Sequence, residues 1–432
     1  MGIEYDSINW HKVKQFIIFN QIQLKKYQRG GSLTFIHFLL IILWLTPALF
    51  FAILFRVISP WIIIRIRPLY HQRIGHFALN TEIYLCEQKL GIHGSINKYK
   101  DIWYYNDGYT SNQQLKRMWN RILKIWPSDL SFLIYKINFR LPDNSIYIIP
   151  WGEALYQGRD VNHAMEKIPP QLSFTDEEEC YGKKMLESLG IPKGALFICF
   201  GARDNQYANV FFPNIDQLTY LQDYRNSDVS NYLVAAEEMV KRGYYLIRMG
   251  SVVEKVLGSN NPRIIDYSTN GFRNDFMDIY LGAKCHFFIG SGTGITSVPW
   301  IFRKPILFVN YATLNWVCDF CKNHLFIPKK YWLNKEQRFM SFREIFESGA
   351  GGFLSTAQYI DKGITLIENT PEEILKVTIE MEERLHGTWI TTEEDEYLQK
   401  KFWSYYIPCE FHDRINSRIG ADFLRKNQEL LD

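Results

Sequence analysis

The stretch Phe287-Phe288-Ile289-Gly290-Ser291-Gly292-Thr293-Gly294 is an apolar run that breaks into glycine and small hydroxyl residues, and residues 295–302 after it can continue as a helix. It reads as a buried strand, a tight turn and a helix start. Backbone N–H groups and the positive end of a helix dipole then converge on one point, which suits a phosphate. Glycine at such a turn also serves close packing alone. The phosphate reading gains from its company: Arg203 (followed by Asp204), Arg248 and Arg273 all fall at or near the ends of predicted strands in the same half of the chain. Several guanidiniums around a helix start suit a diphosphate.

Outward from this motif the chain alternates. Residues 195–200, 244–249, 286–289 and 306–310 read as strands, and 232–242, 275–281 and 296–302 as helices. Strands alternating with helices predict a parallel sheet that binds ligands at the carboxyl ends of its strands. Asp228 and Asp275 read as helix caps in this scheme, leaving Arg273 to face a ligand.

The amino-terminal half is less regular. Residues 74–90 (IGHFALNTEIYLCEQKL) read as a strand ending near Gly75-His76 and a helix that carries Glu82; 102–105 read as a strand and 112–123 as a helix, while 131–150 stay ambiguous. Pro169-Pro170 and the helix-start signal of residues 173–178 mark a junction. The expected organisation is a basic N-terminal segment (1–68), a first α/β domain (69–185), a second α/β domain that carries the phosphate-type turn (186–385) and a helical C-terminal segment (386–432).

Residues 33–55 are almost wholly apolar, and a second apolar run follows at 57–64. About 23 helical residues extend roughly 34 Å, enough for a bilayer core of about 30 Å. Residues 1–75 carry nine Lys or Arg against Glu4 and Asp6, a local charge of +7, and the remainder is −4 within a formal total of +3. The basic excess sits beside the apolar run, where anionic lipid would be. Lys25, Lys26 and Arg29 precede the run while Arg56, Arg65 and Arg67 follow it, so charge leaves open a single span followed by an interfacial helix around Trp61, or a re-entrant hairpin bent at Pro47. In either case the main domain is expected on the cytoplasmic side of the inner or cytoplasmic membrane. A slightly acidic globular part argues against nucleic acid as a partner.

With 432 residues, 47% hydrophobic and 16% aromatic, the chain can form two domains with large cores. Its seven cysteines are scattered without a disulfide framework and point to reduced thiols. Cys318, Cys321 and His324 are spaced like metal ligands, but no second pair closes a zinc centre, and no metal or other cofactor is expected.

Taken together, RIGHFALNTEIYL (73–85), FICFGARDNQY (197–207) and the run from IDYSTNGFRNDF (265–276) through FFIGSGTGITSVPWIFRKPILFVN (287–310) resemble a family of bacterial glycosyltransferases of surface-polysaccharide clusters, over about residues 70 to 390. More distantly, Arg-Asp after a strand with a late Ser-Gly turn is similar to GT-B fucosyltransferases. The resemblance implies two Rossmann-like domains, GT-B-like, facing a cleft, with an N-terminal membrane-associated helix. It also implies a nucleotide-sugar donor and a glycan or lipid-linked acceptor.

Sugar transfer leaves negative charge on a nucleotide diphosphate, which fixed guanidiniums and N–H groups stabilise. Arg203, Arg248, Arg273, Ser291, Gly292 and Thr293 are the expected donor-binding residues. Glu82 and His76 are the candidate bases for the acceptor hydroxyl. No Asp-x-Asp occurs, so metal-independent transfer is expected. A pyruvyl transferase on a similar scaffold and a non-catalytic sugar-nucleotide or glycan-binding subunit remain alternatives.

Overall fold

The computed structural model describes residues 32–95, 97–152, 155, 157–211, 222–317, 324–407 and 416–432, with the backbone alone for 32–42. The basic residues before position 32, and Cys318 and Cys321, therefore lie outside the described residues. In chain order the first elements are α1 (Ser32–Val57), β1 (Ile63–Leu69), α2 (Ile74–Lys89), β2 (Tyr99–Tyr105), α3 (Gln113–Asn120) and α4 (Ser128–Arg140). The chain divides into two compact units, and the first takes residues 1–68, 97–107 and 124–149.

In the first unit, β1 and β2 form a two-stranded sheet, widened by parallel bridges from Ile66 to Ile148 and from Trp103 to Ile125. The interfacial helix around Trp61, one of the two readings left open, does not form in the second apolar run, which from Ile63 is a strand. Its β-branched isoleucines suit a pleated, half-buried surface. Ala48 and Phe55 of α1 pack with Ile66, Ile102, Leu130 and Ile134 in one core. Arg65 and Asp101 close a two-pronged ion pair at 2.6 and 3.0 Å over the Tyr99 ring.

One face of α1 is thus protein-facing, while Leu43, Phe50, Ile53 and Val57 are 59–67% exposed on the remainder. Among the described residues no helix is long and apolar enough to cross a membrane. The side chains of 32–42, the first half of the expected span, are outside that description.

The second unit comprises residues 69–96, 108–123 and 150–432. After α2 and α3 it continues with α5 (Asp176–Ser188), β3 (Phe197–Gly201), α6 (Gln206–Phe211), α7 (Leu233–Lys241), β4 (Tyr245–Arg248), β5 (Ile264–Ile265), α8 (Asp275–Lys284), β6 (Phe288–Gly290), α9 (Ser297–Ile301), β7 (Ile306–Tyr311) and β8 (Leu325–Pro328). Then come β9 (Lys330–Leu333), β10 (Arg338–Phe339), β11 (Ile364–Ile367), α10 (Pro371–His386), α11 (Glu393–Tyr405) and β12 (Arg418–Ile419).

Seven strands form one sheet in the order β12-β8-β7-β6-β3-β4-β5, with every pairing parallel. Counting from β3, the six strands other than β12 run 3-2-1-4-5-6, the doubly wound order, and β3 and β6 flank the point where the winding reverses. β3 (FICFG) and β6 (FIG) are buried at every position, as strands covered on both faces should be. β9, β10 and β11 make a separate antiparallel sheet.

Three expectations change. The first unit has a two-stranded sheet rather than a second doubly wound one, and α2 and α3 belong to the unit with the large sheet. Residues 74–76 are the first turn of α2 and not a strand end, with Arg73 as the residue before the helix. The C-terminal segment is not wholly helical: β12 adds a seventh strand beside β8, held by Gln399, whose amide donates to Ile419 O at 2.5 Å and accepts from Ile419 N at 3.3 Å.

Candidate functional site

β3 and β6 lie side by side and end in register, Gly201 opposite Gly290. The chains then diverge, one into Ala202-Arg203 and the other into Ser291-Gly292. Glycine is needed at both strand ends. A Cβ on Gly290 would sit 2.8 Å from the Phe288 ring, and one on Gly201 3.2 Å from the Met249 carbonyl. The backbone N–H of Arg203 donates to Ser291 Oγ at 3.1 Å, joining the two loops across the switch point. Gly292 takes φ +71°, a left-handed conformation that costs any other residue.

These loops floor a cavity of about 610 Å³ that lies within the second unit. Arg203, Arg225 and Arg273 line it. Arg203 donates from Nη2 to Gln222 at 3.2 Å, while its buried Nε has no partner among the described residues. Burial, and then the neighbouring Arg225, bring its pKa down to about 10, so it remains cationic at neutral pH. Arg225 hydrogen-bonds the Gly292 carbonyl and clamps the turn. Arg273 is held by Asp278 at 2.7 Å, and its Nε is likewise buried without a partner among the described residues.

Asp278 also accepts from Tyr267 Oη at 3.2 Å. Burial pushes its carboxyl up to about 6 despite the opposing pull of Arg273. Two guanidiniums with unfilled donor positions at a switch point form a site ready for a multiply charged anion.

The opposite wall starts at α2. Gly75 meets the short helical turn Gly294–Thr296 so closely that a Cβ on it would lie 3.2 Å from Gly294 Cα. No side chain caps α2, and its first turn carries His76 to the cavity wall, with Nδ1 3.3 Å from Asn80 Nδ2.

The structure thus brings His76, Arg203, Arg273, Ser291, Gly292 and Thr293 to one cavity. The Ser291 hydroxyl is engaged by the Arg203 backbone, and Thr293 Oγ1 lies 3.2 Å from Thr296 Oγ1. Two expected residues are elsewhere. Glu82 is fully buried, ion-paired to Arg303 at 2.8 Å and accepting from Gln171 N at 3.0 Å. Its pKa is raised by burial against the pull of Arg303, and a carboxylate so enclosed cannot reach a substrate hydroxyl. Arg248 is buried against Asp266 at 3.2 Å and the Lys255 carbonyl at 2.6 Å. It lines a smaller cavity of about 190 Å³, which shares Arg203 with the larger one.

Asn274, not Asp275, caps α8, accepting from Met277 N at 2.9 Å. Asp275 instead accepts from Gln113 N at 2.7 Å. Asp228 does cap, accepting from Ser230 N at 2.9 Å. His324, the third residue of the metal-like spacing, is buried with its pKa pushed down to about 3 by desolvation. Sequence reasoning did not single out Arg225, Arg73 or Asp278. Its place as the next arginine after Arg203, 22 residues on, was the signal available for Arg225. Asp278, three residues after Asp275 on the same helix, carried none.

Neither a family model nor a curated protein sequence matches the chain. Solved glycosyltransferase structures are similar to it. The ADP-heptose LPS heptosyltransferase II of E. coli has a TM-score of 0.36 and 11% identity, over 61% of this chain and 90% of that one. A glycosyl transferase of family 9 from Veillonella parvula has a TM-score of 0.35 and 11% identity, over 56% and 79%. The dodecameric iron-containing glycosyltransferase TibC of enterotoxigenic E. coli has a TM-score of 0.30 and 10% identity, over 58% of each chain. They are a heptosyltransferase, a family 9 glycosyl transferase and a glycosyltransferase, and none of the three is a fucosyltransferase. At such scores the strand order of this chain, rather than the likeness, carries the fold.

Proposed function

We propose that the chain is a membrane-associated glycosyltransferase that moves a sugar from a nucleotide-diphosphate donor to a surface-glycan or lipid-linked acceptor, without a metal. The observation that carries this is the pairing of Arg203 and the Ser291 turn across the switch point, with an unpartnered buried guanidinium nitrogen on the same 610 Å³ cavity. A nucleotide diphosphate fits there with its charge facing Arg203 and Arg273, and Arg225 holding the turn. As the sugar–phosphate bond breaks, charge grows on the leaving diphosphate. Donors already in place stabilise it without reorganising.

His76, across the cavity, takes the role of base for the acceptor hydroxyl, with Asn80 orienting its ring. The metal-independent reading rests on the missing Asp-x-Asp. Leu43, Phe50 and Ile53 are exposed within the apolar run of 33–55, and with the basic flanks they support a seat on the inner or cytoplasmic membrane, the main domain cytoplasmic.

Purified protein is tested against a panel of nucleotide-diphosphate sugars by calorimetry and for donor hydrolysis. Binding with slow hydrolysis, both weakened in Arg203→Ala, is the expected result. Binding with no turnover would favour a non-catalytic subunit, and no binding would send the search to pyruvyl donors.

A further inference from the structure

At the mouth of the same cavity, Tyr207 of α6 lines the wall and packs on Phe211 with ring centroids 4.7 Å apart. Phe211 in turn stacks on Tyr109 at 4.9 Å and 26°. Tyr109 comes from a different stretch of the unit, just after Gly108, whose φ of +117° turns the chain. It stays 47% exposed.

Arg273, Asp275 and Asp278 lie close enough to Tyr109 to act on its hydroxyl, and Arg273 acts on that of Tyr207 as well. The position of Tyr109 relative to them is tied down: Asp275 accepts from Gln113 N at 2.7 Å, and Asn112 donates to the Asp275 carbonyl at 2.9 Å. The Asp275 carboxyl is 37% exposed and the Arg273 side chain 27%, so both can be reached by a ligand. Of these groups the diphosphate site uses Arg273 and, through it, Asp278.

We infer that the Tyr109–Phe211–Tyr207 shelf, with Arg273 and Asp275 at its edge, is the acceptor subsite and takes an uncharged pyranose ring. A pyranose has one face of C–H groups and a rim of hydroxyls. The face covers an aromatic ring, burying apolar area without breaking hydrogen bonds. The rim needs acceptors and donors at the ring's edge, which a carboxylate, a guanidinium and phenol hydroxyls supply. An acyl chain would desolvate those charged groups without replacing their partners. The shelf therefore selects the sugar end of the acceptor, whether or not a lipid carries it. Tethering by Asp275 keeps the shelf in place before binding, which lowers the cost of ordering it.

This inference rests on the proposed transferase reading, and the test separates the two. Saturation-transfer NMR is recorded on the full-length chain in detergent with a panel of p-nitrophenyl pyranosides (gluco, galacto, manno and N-acetylglucosamino). Calorimetry with nucleotide sugars runs in parallel.

Ring C–H protons of at least one pyranoside should give a signal that falls fivefold or more in Tyr109→Ala and in Phe211→Ala, and persists in Arg203→Ala. Nucleotide-sugar affinity should stay within twofold of the parent in Tyr109→Ala. Tyr109→Phe, which keeps the ring, should keep most of the pyranoside signal, and matched melting curves guard against misfolding. No signal from any pyranoside, or an unchanged signal in Tyr109→Ala, overturns the subsite. Nucleotide-sugar binding lost with Tyr109 also overturns it, since the shelf would then hold the donor. Failure of the parent protein to bind any nucleotide sugar, with the pyranoside signal intact, defeats the donor reading alone.

Discussion

Arg203 occupies a place that a merely structural arginine would not: its backbone is pinned to Ser291, and its side chain keeps a buried donor without an acceptor among the described residues. Removing it should weaken nucleotide-sugar binding by about 1.5–3 kcal/mol, the scale of a charge-assisted hydrogen bond. Arg203→Lys should rescue poorly because a point charge lacks the planar fork. Titration calorimetry on both variants checks this, and unchanged affinity in Arg203→Ala would remove the residue from the site. Gly292 makes a second residue-scale prediction. Around its Cβ direction the nearest atom is Tyr311 Cε2 at 3.8 Å, so space is available and the φ of +71° is the constraint. Gly292→Ala should lower stability by about 1–2 kcal/mol, and the folded protein should bind nucleotide sugar at least threefold more weakly. A drop in melting temperature with normal affinity would mean the turn serves packing only.

At the scale of elements, α8 and α2 each carry a buried acid with a different task. On α8 the Asp278 carboxyl is raised from an ordinary 3.8 to about 6. The folded state therefore binds this proton more tightly than the unfolded chain does. The group's stabilising contribution is complete below about pH 4 and is lost as pH rises through about 6, a change on the order of 3 kcal/mol. Protonation also frees the charge of Arg273, so affinity for a nucleotide sugar, whose diester phosphates do not titrate in this range, should rise as pH falls below about 6. Calorimetry from pH 5 to 8 should show that step in the parent and not in Asp278→Asn. On α2, Glu82 is paired with Arg303 in the interior. Glu82→Ala should cost about 3–5 kcal/mol of stability by stranding the arginine. Donor affinity in the remaining folded protein should be normal. A loss of turnover with unchanged melting would instead return Glu82 to the chemistry.

For the whole molecule, the packing of Ala48 and Phe55 with Leu130 and Ile134 changes where the chain can be cut. Removing residues 1–68 would strip the first unit of α1 and nearly all of β1. Removing residues 1–42 leaves that core intact. The shorter deletion should move the protein from the membrane to the soluble fraction with its melting curve preserved, whereas the longer one should lower the melting temperature. Fractionation and calorimetry of the two truncations check this. A 1–42 deletion that still sediments with membranes would assign the attachment to the exposed face of Leu43, Phe50 and Ile53 instead.

The large sheet was legible in residues 195–310 because central parallel strands are buried on both faces and so appear as unbroken apolar runs between glycine and polar breakers. For the same reason Arg203 and Ser291 could be placed at strand ends, and strand ends at a switch point face one crevice. Strand order itself is not local. Nothing in residues 418–419 announces β12, whose two residues are held by Gln399 and β8. His76 and Glu82 could not be told apart from sequence, since both are polar residues on one stretch. Only as members of a single helix do they separate, because six residues carry the chain about 240° around its axis, turning one to the cavity and the other to Arg303. Arg248 and Arg203 both follow apolar strands, yet Asp266, 18 residues further on, captures the first and leaves the second open. Local apolar pattern decides which segments are buried; which charged side chains find partners, and which keep a vacant donor for a ligand, depends on residues brought together from distant parts of the chain.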